Sequence, residues 1–254
     1  MRVWLGTLII LAGLGATIAA DTIPATGGNI VLTPMAHAMV QIEFGGKVIQ
    51  LDPSNMANLA TAKPADIVLI TDVHGDHMDP PSIDKVKKAS TIYVAPQALA
   101  GKFGGPTEII GYGQTKVVDG VSITAVAAYN VTRGPAAGQF FHDKGRGNGY
   151  ILTLGGKRIY FAGDTECTPE MKALTNIDVA FLPMNLPYTM TPEEAAGCAK
   201  EFKPKVVYPY HYRGQGATPE QNQQAFVAAM KGTAGIEVRT PSFYPAAPAA
   251  PAAR

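Results

Sequence analysis

Cysteine is scarce in this chain and net charge is almost absent. Two cysteines in 254 residues, Cys167 and Cys198, cannot frame a disulfide-built fold, and neither has the spacing of a metal clip. They are able to pair in an oxidising compartment, but Cys198 lies in an Ala-rich helical pattern, and two free, mostly buried thiols are the expected state. A formal net charge of +1, with no lysine- or arginine-rich run, removes the electrostatic argument for nucleic acid or an acidic membrane as partner. General disorder is excluded by the 46% hydrophobic content, which over this length suffices for the core of one large domain.

The N-terminus reads as an export signal: Arg2 supplies the charge, Val3 to Ile18 is nearly all apolar or small, and Ala16 to Ala20 offers small residues for cleavage. An uncleaved anchor helix is the other reading, and the short span makes it marginal. No cysteine follows the cleavage point to accept a lipid, and a single Arg2 is not a twin-arginine signal. The expectation is a signal over residues 1–20, one domain over 21–244 and a disordered Ala- and Pro-rich tail over 245–254. The protein is expected to be periplasmic or secreted, with no stable membrane association after signal removal.

The chain in between alternates hairpins with strand–helix units. Gly45-Gly46 and Gly155-Gly156 are two-residue hairpin turns between apolar alternating runs, and Asp52-Pro53-Ser54 ends a strand with turn chemistry. Thr191-Pro192-Glu193-Glu194 and Thr218-Pro219-Glu220 open helices with a cap, a proline and early acids. Tyr129 to Gly149 is a long glycine-rich loop, of a length that is usually functional or disordered. The order of elements echoes between the halves without a sequence repeat, which suggests two sheets packed face to face with helices outside.

The most informative stretch is Thr71-Asp72-Val73-His74-Gly75-Asp76-His77-Met78-Asp79, which follows the buried-strand pattern Ile67-Val68-Leu69-Ile70. Two carboxylates and two imidazoles converge just beyond a strand end, and both are ligands for Zn²⁺, Mn²⁺ or Fe²⁺. Taken alone, the acids also fit a solvated turn beside incidental histidines. Four of the five histidines, however, lie at strand ends or in the long loop, beside Asp72, Asp76 and Asp164.

Here the chain resembles the metallo-β-lactamase fold superfamily of metal-dependent hydrolases, most like its lactonase and phosphodiesterase-related branch. The motif His-x-His-x-Asp-His is matched as Asp72-x-His74-x-Asp76-His77, followed by His142, by Asp164 in Phe161-Ala162-Gly163-Asp164-Thr165, and by His211 after a strand. The resemblance spans roughly Ile30 to Val238 and implies an α/β fold, a four-layer αββα sandwich. It further implies two divalent metal ions, zinc above all with manganese or iron as alternatives. One would be held by Asp72, His74 and His142, the other by Asp76, His77 and His211, with Asp164 bridging. A hydroxide shared by the metals would attack a small-molecule ester, lactone, amide or phosphodiester, with Asp76 or a second bound water passing a proton to the leaving group.

Asp72 is the departure, because the family usually has histidine there. Its charge makes the implied centre less positive by one unit, so an alkaline activity optimum is expected. His37 is read either as a contact at the cleft or as a structural, hydrogen-bonded histidine. Tyr210 and Tyr212 are candidates to line the pocket or to pack beside it, and Asp79 to fix a histidine tautomer. Arg133, Arg146 and Arg213 would meet an anionic substrate or simply be solvated. Two other functions stay open: a metal or ligand binder that has lost catalysis, and a non-hydrolytic redox enzyme on the same scaffold.

Overall fold

Parallel pairing decides which loops meet. In the computed structural model, which describes residues 20–244, fourteen strands form two seven-stranded sheets, and each is antiparallel in its first part and parallel in its second. The first sheet runs in chain order: β1 (Asp21–Ala25), β2 (Gly28–Ala36), β3 (Met39–Phe44), β4 (Lys47–Leu51), β5 (Ala65–Leu69), β6 (Lys87–Ala95) and β7 (Thr107–Ile109). The second contains β8 (Thr115–Val118), β9 (Val121–Ala128), β10 (Gly147–Leu154), β11 (Lys157–Phe161), β12 (Val179–Pro183), β13 (Val206–Tyr210) and β14 (Glu237–Val238). β4, β5, β6 and β7 are parallel neighbours, as are β11, β12, β13 and β14. Chains leaving the C-terminal ends of parallel strands emerge on one edge, which is where sites form in such sheets.

The alternation of side chains along β5 shows the layering. Ile67 and Leu69 enter the core shared with the second sheet, whereas Val68 and Ile70 face Ile83 and Val86 of helix α1 (Pro80–Val86). A short helix, α2 (Pro169–Lys172), follows β11. Helices α3 (Pro192–Phe202) and α4 (Pro219–Met230) add Ala195, Ala199, Phe202, Phe226 and Met230 to the core on the far side, with the Phe202 ring 6.2 Å from Tyr160 of β11. Both have the Thr caps and capping boxes expected of Thr191 and Thr218. The result is the expected four-layer sandwich.

Both diglycine turns have positive φ at each glycine, as a tight hairpin requires. The long loop is shorter than expected, because β10 starts at Gly147. β1 and α2 are additional to the elements expected from the sequence, and β1 begins at Asp21, where the expected signal ends. The thiol expectation is corrected: Cys167 and Cys198 form a disulfide, with Cα atoms 5.8 Å apart. The residue after Glu166 and the buried face of α3 are brought together by the fold, a proximity that spacing alone does not reveal. The proposed signal, save Ala20, and the 245–254 tail lie outside the described residues. Among the described residues no helix is long and apolar enough to cross a membrane.

Candidate metal centre

The two sheets are tied together at the edge where the parallel strands end. The Asn148 amide donates to the Thr71 carbonyl at 2.8 Å, and the His211 amide to the His37 carbonyl at 3.0 Å. Asp72 to His77 follow β5, Asp164 follows β11 and His211 follows β13. All seven residues expected from the sequence to hold metal meet here. His142 Nε2 and His77 Nε2 lie 3.0 and 3.2 Å from Asp164 Oδ2, and His211 Nε2 lies 3.4 Å from Asp164 Oδ1. His74 Nδ1 is 2.9 Å from Asp72 Oδ2.

The ligand atoms fall into three overlapping groups, each within 4.8 Å: Asp72, His74, His142 and Asp164; His77, Asp164 and His211; and His37, Asp76 and His211. Asp164 belongs to two of them. Asp76 stands closer to His37, 3.1 Å away, than to His77 at 3.9 Å. His37 therefore joins the cluster directly, as a contact at the cleft.

This donor set fits a divalent cation. Asp164 Oδ1 and His211 Nδ1 are buried without a hydrogen-bond partner, and the Nε2 atoms of His77 and His211 face one another at 3.2 Å. Lone pairs crowded in this way call for a positive centre among them. Burial works against charge on His77, but Asp164 and Asp52 outweigh it and hold its pKa well above the imidazole norm. Burial also opposes ionisation of Asp164 and Asp76, yet the surrounding imidazoles hold both carboxyls well below the usual range. His37 is pushed down to about 4, by burial first and then by the charge of His211.

Two residues with no role in the sequence analysis of the site orient its histidines. Asp52, fully buried at the end of β4, accepts from the Thr71 amide at 2.8 Å and Thr71 Oγ1 at 2.6 Å, and lies 2.8 Å from His77 Nδ1. It keeps the proton on Nδ1 and turns Nε2 to the cluster. Asn130 does the same for His142, its Oδ1 lying 2.7 Å from Nδ1 and accepting from the His142 amide at 2.7 Å. The available signal for Asp52 was an acid at the end of a strand adjoining β5. Asp52, His37 and His211 all hold left-handed backbone, with φ of 46°, 55° and 48°. Such conformations persist where the surroundings over-determine them, as at functional sites.

Several expectations need correction. Asp79 orients no histidine: it caps α1, accepting from the amide and hydroxyl of Ser82. Tyr210 is fully buried and accepts from the Gly163 amide at 2.8 Å, steadying the turn into Asp164 rather than lining the pocket. Tyr212 is buried against Phe243 and Tyr244, with its oxygen accepting from the Phe243 amide. Arg146 is not free for substrate. Its Nε and Nη2 fork the two oxygens of Asp72, each at 3.1 Å, and Nη1 donates to the Phe141 carbonyl at 2.7 Å. That guanidinium restores the positive unit that Asp72 removes, so the argument for an alkaline optimum lapses. Gly147 permits the approach, because a Cβ there would stand 2.9 Å from Asp72 Oδ1 and from the Thr71 carbonyl.

Comparison with known proteins gives the family. Residues 31–211 match the beta-lactamase superfamily domain. The UPF0173 metal-dependent hydrolase of Pyrococcus abyssi is 37% identical over 193 residues, 70% of this chain and 82% of that one. Its counterpart from Geobacillus sp. is 34% identical over 197 residues, 71% and 84% of the two chains. A crystal structure from Parabacteroides distasonis, assigned as a metal-dependent hydrolase, superposes with a TM-score of 0.78 at 38% identity, covering 89% of this chain and 99% of that one. The expectation of a periplasmic or secreted protein is overturned here: similar UPF0173 hydrolases from Pyrococcus, Geobacillus, Thermococcus and Anoxybacillus are archaeal and Gram-positive proteins. The chain belongs to the beta-lactamase superfamily, within its UPF0173 group of metal-dependent hydrolases.

Proposed function

We propose that the chain hydrolyses an ester, lactone, amide or phosphodiester bond of a small molecule with two divalent cations, zinc foremost and manganese or iron as alternatives. Asp72, His74 and His142 hold one, Asp76, His77 and His211 the other, and Asp164 is shared. The position of Asp164 carries this reading, since its carboxylate lies within 3.4 Å of Nε2 atoms from His77, His142 and His211. Cations held by these residues would supply Lewis-acid polarisation of the scissile group and a water nucleophilic near neutral pH.

The chain's own residues supply the rest. His74, Asp76, His142, Asp164, Asn185 and Tyr188 line a hollow of about 390 Å³, a size suited to a small molecule. Asp76 stands on its wall with its side chain 33% exposed, placed to carry a proton to the leaving group. His37 Nε2 steadies that carboxylate, and the Tyr244 hydroxyl pairs with His37 Nδ1. Unequal affinity of the two positions is favoured by a specific observation: Arg146 engages both oxygens of Asp72, and the His74 side chain is 47% exposed. The position built on His77 and His211, both fully buried, fills first.

Alanine at His142 or His211 tests the proposal, with bound metal counted and chromogenic esters, lactones, phosphodiesters and cephalosporins assayed. Each variant should lose one equivalent of metal and at least about 100-fold in kcat/KM. Two equivalents of metal on the unaltered chain with no turnover across the panel would point instead to a binding protein.

A further inference from the structure

A second hollow of about 560 Å³ adjoins the metal-binding one, with Phe141, Leu186 and Pro187 as its apolar wall and Thr132, Arg133 and Gln215 as its polar side. Phe141 precedes His142, and Leu186 and Pro187 lie between Asn185 and Tyr188, so the same two chain segments line both hollows. They meet where the Phe141 and Tyr188 rings pack edge to face at 4.9 Å. We propose that this second hollow is the specificity pocket of the hydrolase and receives an uncharged alkyl or aryl arm of a neutral carboxylic ester, lactone or amide.

Three observations support the assignment. First, exposed apolar side chains gather on the segments that form the two hollows: Tyr188, on the wall of the metal-binding hollow, is 40% exposed, and Val131 and Phe140, next in sequence to Thr132 and Phe141 of the second, are 46% and 39% exposed, half of the large hydrophobic side chains exposed among the described residues. Apolar side chains concentrated around a concave site mark a surface that receives apolar ligand. Second, the cations nearby are committed. Arg133 donates to Glu166 at 2.7 Å and to both oxygens of Glu194 at 2.9 and 2.7 Å, Lys144 to Glu170 at 2.6 Å, and Arg146 to Asp72. Arg213 lies over the Tyr244 ring and does not line the hollow. A phosphodiester or carboxylate arm would find no unpaired cation there. Third, the wall is preformed. Buried Glu166 accepts from the amides of Val131, Thr132 and Arg133, and Asn130 donates to the Tyr188 carbonyl at 2.8 Å, tying the two segments together.

The inference rests on the proposed hydrolysis, and two measurements separate them. Non-hydrolysable methyl ketones, from 2-pentanone to 2-nonanone, are titrated onto the metal-free full chain by ligand-observed NMR. Zinc-loaded enzyme is then assayed on 4-nitrophenyl acetate, butyrate and hexanoate and on bis(4-nitrophenyl) phosphate. Affinity for the ketones and kcat/KM for the esters should each rise about three- to fourfold per added methylene, the factor for burying one CH₂. Leu186→Ser should cut the hexanoate-to-acetate ratio by at least about tenfold and flatten the ketone series. Ketone binding independent of chain length, or a preference for the phosphodiester with no acyl-length dependence, would overturn the pocket while leaving a hydrolase. Length-dependent ketone binding that Leu186→Ser abolishes, without turnover of any ester or of the phosphodiester, would uphold the pocket and overturn the reaction.

Discussion

Replacing Asp52 by asparagine changes the protonation pattern of the site and turns round one further hydrogen bond, that of the Thr71 hydroxyl, which donates to Oδ2 and would accept from the amide nitrogen. Asp52 is fully buried with φ of 46°, a left-handed conformation that asparagine also tolerates, so the backbone is not strained. Oδ1 still accepts from the Thr71 amide at 2.8 Å. The amide nitrogen, however, replaces the acceptor 2.8 Å from His77 Nδ1, so it donates there and moves the ring proton to Nε2. That proton then points at Asp164 and occupies the lone pair a metal needs. Loss of such an orienting partner weakens metal binding about 10- to 100-fold, or about 1.4–2.7 kcal/mol. Without metal, the variant also loses one of the two carboxylates around the His77 imidazolium. That charged hydrogen bond is worth about 1.5–3 kcal/mol, or a fall in Tm of about 3–12 °C for a domain of this size. Zinc titration calorimetry together with melting of the metal-free protein reads both effects. Zinc affinity within threefold of the unaltered chain, with Tm unchanged, would refute the tautomer argument.

Other predictions follow from neighbouring contacts. The His77 pKa is raised, so metal must displace its proton: affinity should climb with pH, about tenfold per unit below that pKa, and a flat profile between pH 6 and 8 would contradict this. Arg146→Gln leaves buried Asp72 without its fork, destabilising the metal-free chain by about 3–5 kcal/mol, and zinc should recover part of the loss. Its zinc-induced rise in Tm should therefore exceed that of the unaltered chain, and equal rises would count against the pairing. Gly147→Ala should lower metal stoichiometry and destabilise the fold by about 1–3 kcal/mol, since the added methyl meets Asp72 and the Thr71 backbone, and mass spectrometry of the loaded protein checks the count. Reduction of the Cys167–Cys198 bridge, which spans 31 positions, should lower stability by about 3–4 kcal/mol, visible as a fall in Tm with a phosphine reductant.

Much of this architecture is legible in local sequence. Hairpin glycines, threonine caps and apolar alternation act over a few residues, and they place nearly every strand and both long helices. The clustering of the candidate ligands was readable because histidine and aspartate gather at strand ends in a recognisable order. What escaped depends on contacts between distant segments. Asp52 reaches His77 only because β4 and β5 are parallel neighbours, and Arg146 reaches Asp72 only because β10 begins beside the Thr71 carbonyl. The disulfide needed the placement of α3. Tyr210 and Tyr212 adjoin a ligand in sequence, yet their side chains are buried in the core rather than exposed in the hollow. Asp79 served the nearer demand, the unsatisfied amides of a helix start.

The central claim is that residues from both sheets grip metal around one shared carboxylate. Crystals of the zinc-loaded chain, measured at the zinc absorption edge, test it directly. The account predicts anomalous peaks about 2 Å from Asp164 oxygens and from Nε2 of His77, His142 and His211, the stronger beside His77 and His211. Stoichiometric zinc with its peak away from Asp164 would contradict it.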